Sequence, residues 1–206
     1  NRALVLCELR RLDEALASTD KALGIDARST AAWSNRGLVL HELGRYGEAI
    51  ENFDKALAID PGYATAWSNR GSTLSAMGRN REALENFDKA LAIDPGYATA
   101  WCNRGFELGA IGRYEEALAC LARAQSLDPD DARSQWNEAP IRLVLGEFER
   151  GWAKYEYRWT NRFECPLRHQ HVPPLVDLDA VRGARVLVWH EQGYGDTIQF
   201  ARYVPL

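Results

Sequence analysis

The sequence predicts an all-α repeat protein: an α-solenoid of about five helix pairs over residues 1–160, a linker over 161–184, and the first βα unit of an open α/β fold over 185–206. Three observations predict it. The chain matches itself when shifted by 34 positions. Within each copy, apolar residues recur at helical spacing between glycine and Asp-Pro-Gly breaks. At the end this periodicity gives way to the β-branched run RVLVWH and the glycine loop EQGYGD.

The repeats justify the solenoid one half at a time. AWSNRG starts at Ala32 and Ala66, and AWCNRG at Ala100. Behind them come YGEAIENFDKALAIDPGYAT from Tyr46, NREALENFDKALAIDPGYAT from Asn80 and YEEALACLARAQSLDPDDAR from Tyr114. Trp33, Gly37 and Leu40 share one helical face, Gly44 and Arg45 interrupt it, and Ala49, Phe53, Ala56 and Leu57 form the face of a second helix. Asp60-Pro61-Gly62 ends that helix. A pair of this size cannot bury its apolar stripe alone, so the copies must stack, with repeats expected near 1–31, 32–65, 66–99, 100–133 and 134–160.

Composition limits what such an array does. With 206 residues, 46% hydrophobic and 26% charged, the chain has enough apolar surface for a core. A net charge of -4 without clustered Lys and Arg argues against nucleic acid. No signal peptide and no 18-residue apolar run is visible, so no membrane is expected. Cys7, Cys102, Cys120 and Cys165 show neither CxxC spacing nor a disulfide framework, which suits a reducing cytoplasm. The first residue, Asn1, falls inside a repeat, and the native N-terminus is expected upstream.

Trp33, Gly37, Ala49, Phe53, Pro61 and their copies resemble the tetratricopeptide repeat family over roughly residues 1–160, which implies a right-handed solenoid and a protein or peptide partner. One position departs from the family pattern: Arg36, Arg70 and Arg104 stand where Leu is usual. Either the stem packs and the guanidinium finds a carboxylate, or it reaches the groove. An asparagine row keeps the register even where other signature residues drift: Asn1, Asn35, Asn69, Asn103 and Asn137. Each Asn of the clear repeats follows its Trp by two positions, about 200° around the helix, and so points away from the packing face. Two readings stand: the amides hold the backbone of an extended peptide, or they bond within the array.

The last repeat differs from the others. Its Trp position is Gln135, Pro140 falls inside the first helix and is expected to kink or delay it, and GEFERGWAKYEYRW replaces the second. Trp152, Tyr155 and Trp159 share a face there, suggesting docking against something that follows. The linker holds Cys165, His169 and His171, too few ligands for a closed zinc site. Gly193 and Gly195 lack the third glycine of a dinucleotide fingerprint, and no P-loop follows, so neither NAD nor ATP is indicated. The words LGEFERGWAKYEYRW and EQGYGDTIQFARYVP resemble bacterial tetratricopeptide proteins joined to a Rossmann-like glycosyltransferase domain similar to O-GlcNAc transferase and heptosyltransferases. The resemblance implies that a parent protein takes a sugar nucleotide donor and that the solenoid presents the acceptor. Only about 22 residues of that domain are present, so no cofactor and no activity are expected of this chain itself. Asp196 is then either a helix N-cap with Gln199 or, by the resemblance, the base that deprotonates the acceptor hydroxyl. The other reading is a non-enzymatic scaffold or adaptor.

Overall fold

The computed structural model describes residues 2–159; Asn1, the linker and the expected βα unit with Asp196 lie outside the described residues. Five helix pairs follow one another: α1 (Arg2–Glu8) with α2 (Leu12–Ile25), α3 (Thr30–Glu42) with α4 (Tyr46–Ile59), α5 (Ala64–Ala76) with α6 (Asn80–Ile93), α7 (Ala98–Ala110) with α8 (Tyr114–Leu127), and α9 (Ala132–Val144) with α10 (Phe148–Tyr155). A 3-10 turn, Glu156–Trp159, closes α10. The odd-numbered helices are termed A and the even-numbered B. No strand occurs among the described residues.

Local chemistry sets the breaks. The A-to-B turns need a left-handed residue, supplied by Gly44 (φ 72°) and its copies, while Arg10 (φ 59°) takes this conformation in the first pair. Beyond it, Arg45 grips Glu48 through two bonds of 2.6 and 2.7 Å, and Arg11, Arg79 and Arg113 repeat the grip on Glu14, Glu82 and Glu116. In the B-to-A turns the Asp60 carboxylate accepts from Gly62 N at 2.9 Å, and Trp67 Nε1 donates to Pro61 O at 2.9 Å. The tryptophan thus ties each turn to the helix that follows it.

Close approach of A and B within a pair depends on small residues. A Cβ on Gly37 would sit 2.7 Å from the buried Phe53 ring, and one on Gly71 2.7 Å from Phe87. The cores cross pair boundaries: Trp67 of α5 packs on the cluster of Leu40, Phe53, Ala56 and Leu57. Successive A helices touch one another, α3 with α5, α5 with α7 and α7 with α9, whereas among the described residues no B helix touches another B helix. The stack therefore curves with the A helices on its inner wall.

The last pair keeps the register but not the details. Helix α9 begins where the period places it, so the delay expected from Pro140 does not occur, and the helix continues four residues beyond the proline. Pro140 is exposed, which lets its ring sit outside the packed face. Helix α10 has 8 residues against 14 in each of the other B helices. The close contact has exchanged sides: Ala139 occupies the A-helix glycine position, and Gly151 occupies the B-helix alanine position, where a Cβ would lie 2.6 Å from Leu143. Trp152 and Tyr155 of α10 meet edge to face, ring centroids 5.5 Å apart.

Candidate peptide-binding groove

The inner wall is built by residues that repeat on each A helix. Asn35, Asn69, Asn103 and Asn137 lie on α3, α5, α7 and α9 in one row, as the period requires. Their environments differ. Asn35, Asn69 and Asn103 are half-buried, while Asn137 is 8% exposed. Asn103 Nδ2 donates to Ser72 Oγ of α5 at 3.1 Å, and Asn137 Nδ2 donates to Cys102 Sγ of α7 at 3.4 Å. Bonding within the array thus accounts for one end of those two amides. The side-chain amides of Asn35 and Asn69 meet no hydrogen-bond partner among the described residues. Asn1, the fifth member of the expected row, and Asp196 lie outside the described residues.

The arginines that depart from the family pattern do not face the groove. Arg36 Nε donates to Asp20 of α2 at 2.7 Å while Nη1 donates to Asn52 Oδ1 of α4 at 3.1 Å. Arg70 repeats this with Asp54 and Asn86, and Arg104 with Asp88 and Cys120 Sγ. Each guanidinium bridges the B helix before it to the B helix of its own pair, and the stem-packing reading holds. Asn52 and Asn86 are the partners that sequence reasoning missed, although both recur at the period.

A second set of contacts links neighbouring A helices. His41 Nδ1 lies 3.0 Å from Thr73 Oγ1, and one pair further on Ser75 Oγ donates to Glu107. Burial holds the His41 imidazolium below its usual range, so the ring is neutral at neutral pH. Glu107 is 2% exposed, and its second oxygen has no partner among the described residues. Burial raises its pKa, and the Ser75 bond offsets this only in part. In the third interface Gly109 stands at the His41 and Ser75 position and Ile141 at the Thr73 and Glu107 position, so no such contact forms.

The described residues hold no group of three metal-ligating side chains, and none of their helices is long and apolar enough to cross a membrane. Cys7, Cys102 and Cys120 are free thiols whose pKa values burial raises, which makes them poor nucleophiles.

Comparison with known proteins agrees with this geometry. The family model for the tetratricopeptide repeat matches residues 28–95 and 62–130, and a second one matches 107–158. A model of the protein prenyltransferase alpha subunit repeat matches 12–43. Among solved structures, the thermophilic protein TTC0263 of Thermus thermophilus aligns with a TM-score of 0.68 at 24% identity, covering 75% of this chain and 84% of that one. YrrB aligns at 0.56 with 25% identity, covering 75% and 80%, and MamA at 0.62 with 18%, covering 79% and 95%. Protein FlbA of Caulobacter vibrioides is 34% identical over 71 residues, a stretch that is 34% of this chain and only 12% of that protein. With these matches and the stacked helix pairs, the chain belongs to the tetratricopeptide repeat family.

Proposed function

We propose that the chain is a binding scaffold that holds an extended peptide segment of a protein partner along the A-helix wall. The observation that carries this reading is the pair of unspent amides, Asn35 and Asn69, set one repeat apart on adjacent A helices. A primary amide both donates and accepts, which matches the alternating N–H and C=O of an extended backbone and reads no particular side chain. YrrB, the relative at 25% identity, is described as a tetratricopeptide protein with an unusual peptide-binding site, which supports the same use here. Asn35→Ala with Asn69→Ala should weaken peptide binding about tenfold or more, at ~1 kcal/mol per lost hydrogen bond, and leave the thermal melt in place. Unchanged binding with an earlier melt would instead make the row a packing device.

A linked glycosyltransferase, with the groove presenting the acceptor, is a second reading that rests on the words around Trp152 and Asp196. The family matches end at residue 158, and the scaffold reading stands without it. Sugar transfer by the full-length gene product, with Asp196→Asn as the control, tests it.

A further inference from the structure

Resting on the groove reading, we propose that the gap between α7 and α9 is a specificity pocket that takes one large apolar side chain of the bound peptide. The cleft lies where the polar link between neighbouring A helices is replaced by an apolar one. Between α3 and α5, and again between α5 and α7, a side chain of one A helix reaches its neighbour, His41 to Thr73 and Ser75 to Glu107. At the third junction Gly109 has no side chain to extend, and the buried Ile141 packs over it instead, so closely that an added Cβ would lie 3.0 Å from Ile141 Cδ1. The space left beside it is a cleft of about 240 Å³. That is below the ~300–1,000 Å³ typical of small-molecule sites and suits a single side chain.

The walls state the chemistry of the occupant. Phe106, Ile141, Pro140 and Val144 are apolar, and none of the lining side chains carries a charge at neutral pH, which excludes a charged occupant on complementarity. Phe106 is 52% and Val144 65% exposed, which leaves costly apolar surface in water, and the cleft adjoins the groove through Asn137 of the asparagine row. Asn137 lines the same cleft. One end of its amide is held by Cys102, and Oδ1 accepts no hydrogen bond among the described residues. A peptide residue supplies both needs, an apolar side chain for the cleft and a backbone N–H for the amide beside it. Neither a free lipid tail nor a small hydrocarbon supplies that donor.

The probe is a library of randomised ten-residue peptides displayed on phage and selected against the full chain. Recovered peptides should share one position fixed as Leu, Ile, Met or Phe. Ala110→Trp, at an exposed position that lines the cleft, should fill it and weaken the selected peptides at least tenfold without changing the melt; Val144→Asp, equally exposed, should do the same by charge. Peptides with no fixed apolar position, or with one whose binding ignores both variants, overturn the pocket. Selected peptides that lose binding in Asn35→Ala with Asn69→Ala but not in Ala110→Trp overturn the pocket and keep the groove. The reverse pattern keeps the pocket and removes the amide row from the binding surface, and recovery of no peptide overturns both.

Discussion

The three central helix pairs and the last one solve the same packing problem with opposite charges. In the central pairs an A-helix arginine donates to a B-helix Asn or Cys, with a carboxylate of the preceding B helix as second partner. At the same two positions the last pair has Glu138 and Lys154, and Lys154 Nζ lies 3.1 Å from Glu138 Oε2. The preceding acid is gone, since Ala122 stands where Asp88 would place a repelling carboxylate. Glu138 also accepts from Gln125 at 2.8 Å and from Arg142. The difference lies in burial. The aspartates of the central pairs are 54–58% exposed at the side chain, whereas the Glu138 side chain is 6% exposed. Exposed pairs contribute little, but a buried carboxylate is costly to leave without its cations.

The largest effect should come from reversing the buried charge. Glu138→Lys places a third cation beside Arg142 and Lys154 and should cost about 3–5 kcal/mol, read as a lower urea midpoint by circular dichroism. The matching reversal Arg70→Glu faces a well-hydrated Asp54 and should cost only about 1–2 kcal/mol, mostly through the stranded Asn86 amide. Rewriting the last pair as a central one, with Glu138→Arg, Lys154→Asn and Ala122→Asp together, should recover most of the loss. Equal costs for the two single reversals would erase the comparison.

The exchanged close contact predicts a middle-sized effect. Gly71→Ala drives a methyl group into the fully buried Phe87 ring and should cost about 2 kcal/mol. Ala139→Gly, the same position in the last pair, creates no clash there and should cost about 1 kcal/mol, the usual penalty of glycine in a helix. Should Gly71→Ala leave the urea midpoint alone, the glycine marks history rather than packing.

The smallest effect separates two buried carboxyls. Burial pushes Glu138 up, but Gln125, Arg142 and Lys154 outweigh it and hold the carboxyl below its usual range. Glu107 has only Ser75 against its burial and stays raised. The signs are therefore opposite. The Glu138 contribution is complete above the unfolded value of about 4.3 and is lost as pH falls through its lowered folded value. For Glu107, stability is fullest below about 4.3 and declines as pH rises toward its raised folded value. Glu107→Gln should thus stabilise by about 1 kcal/mol near pH 7 and by almost nothing near pH 4, measured as paired thermal melts. A variant that is less stable at both pH values would show that the carboxylate is satisfied after all.

The sequence by itself determined the period, the helix pairs, the turn glycines and the asparagine row, because these depend on contacts three or four residues apart or on exact repetition. It also held signals that repeat alignment exposes, Arg to Glu at 138 and Asn to Lys at 154 among them. Other matters were settled only in three dimensions: which amides are spent on a neighbour, that the arginines clamp B helices, and that Pro140 leaves its helix in register. The first two outcomes turn on side chains 16 or 31–35 residues apart meeting across helices, and the third on the Pro140 ring lying on the exposed face of α9. Ile141 packs over Gly109, the cleft lies beside that contact between α7 and α9, and close-packed helices cannot close up around it without losing contacts elsewhere. No local pattern marks that glycine as different from the others, since its effect exists only once α9 is laid beside α7.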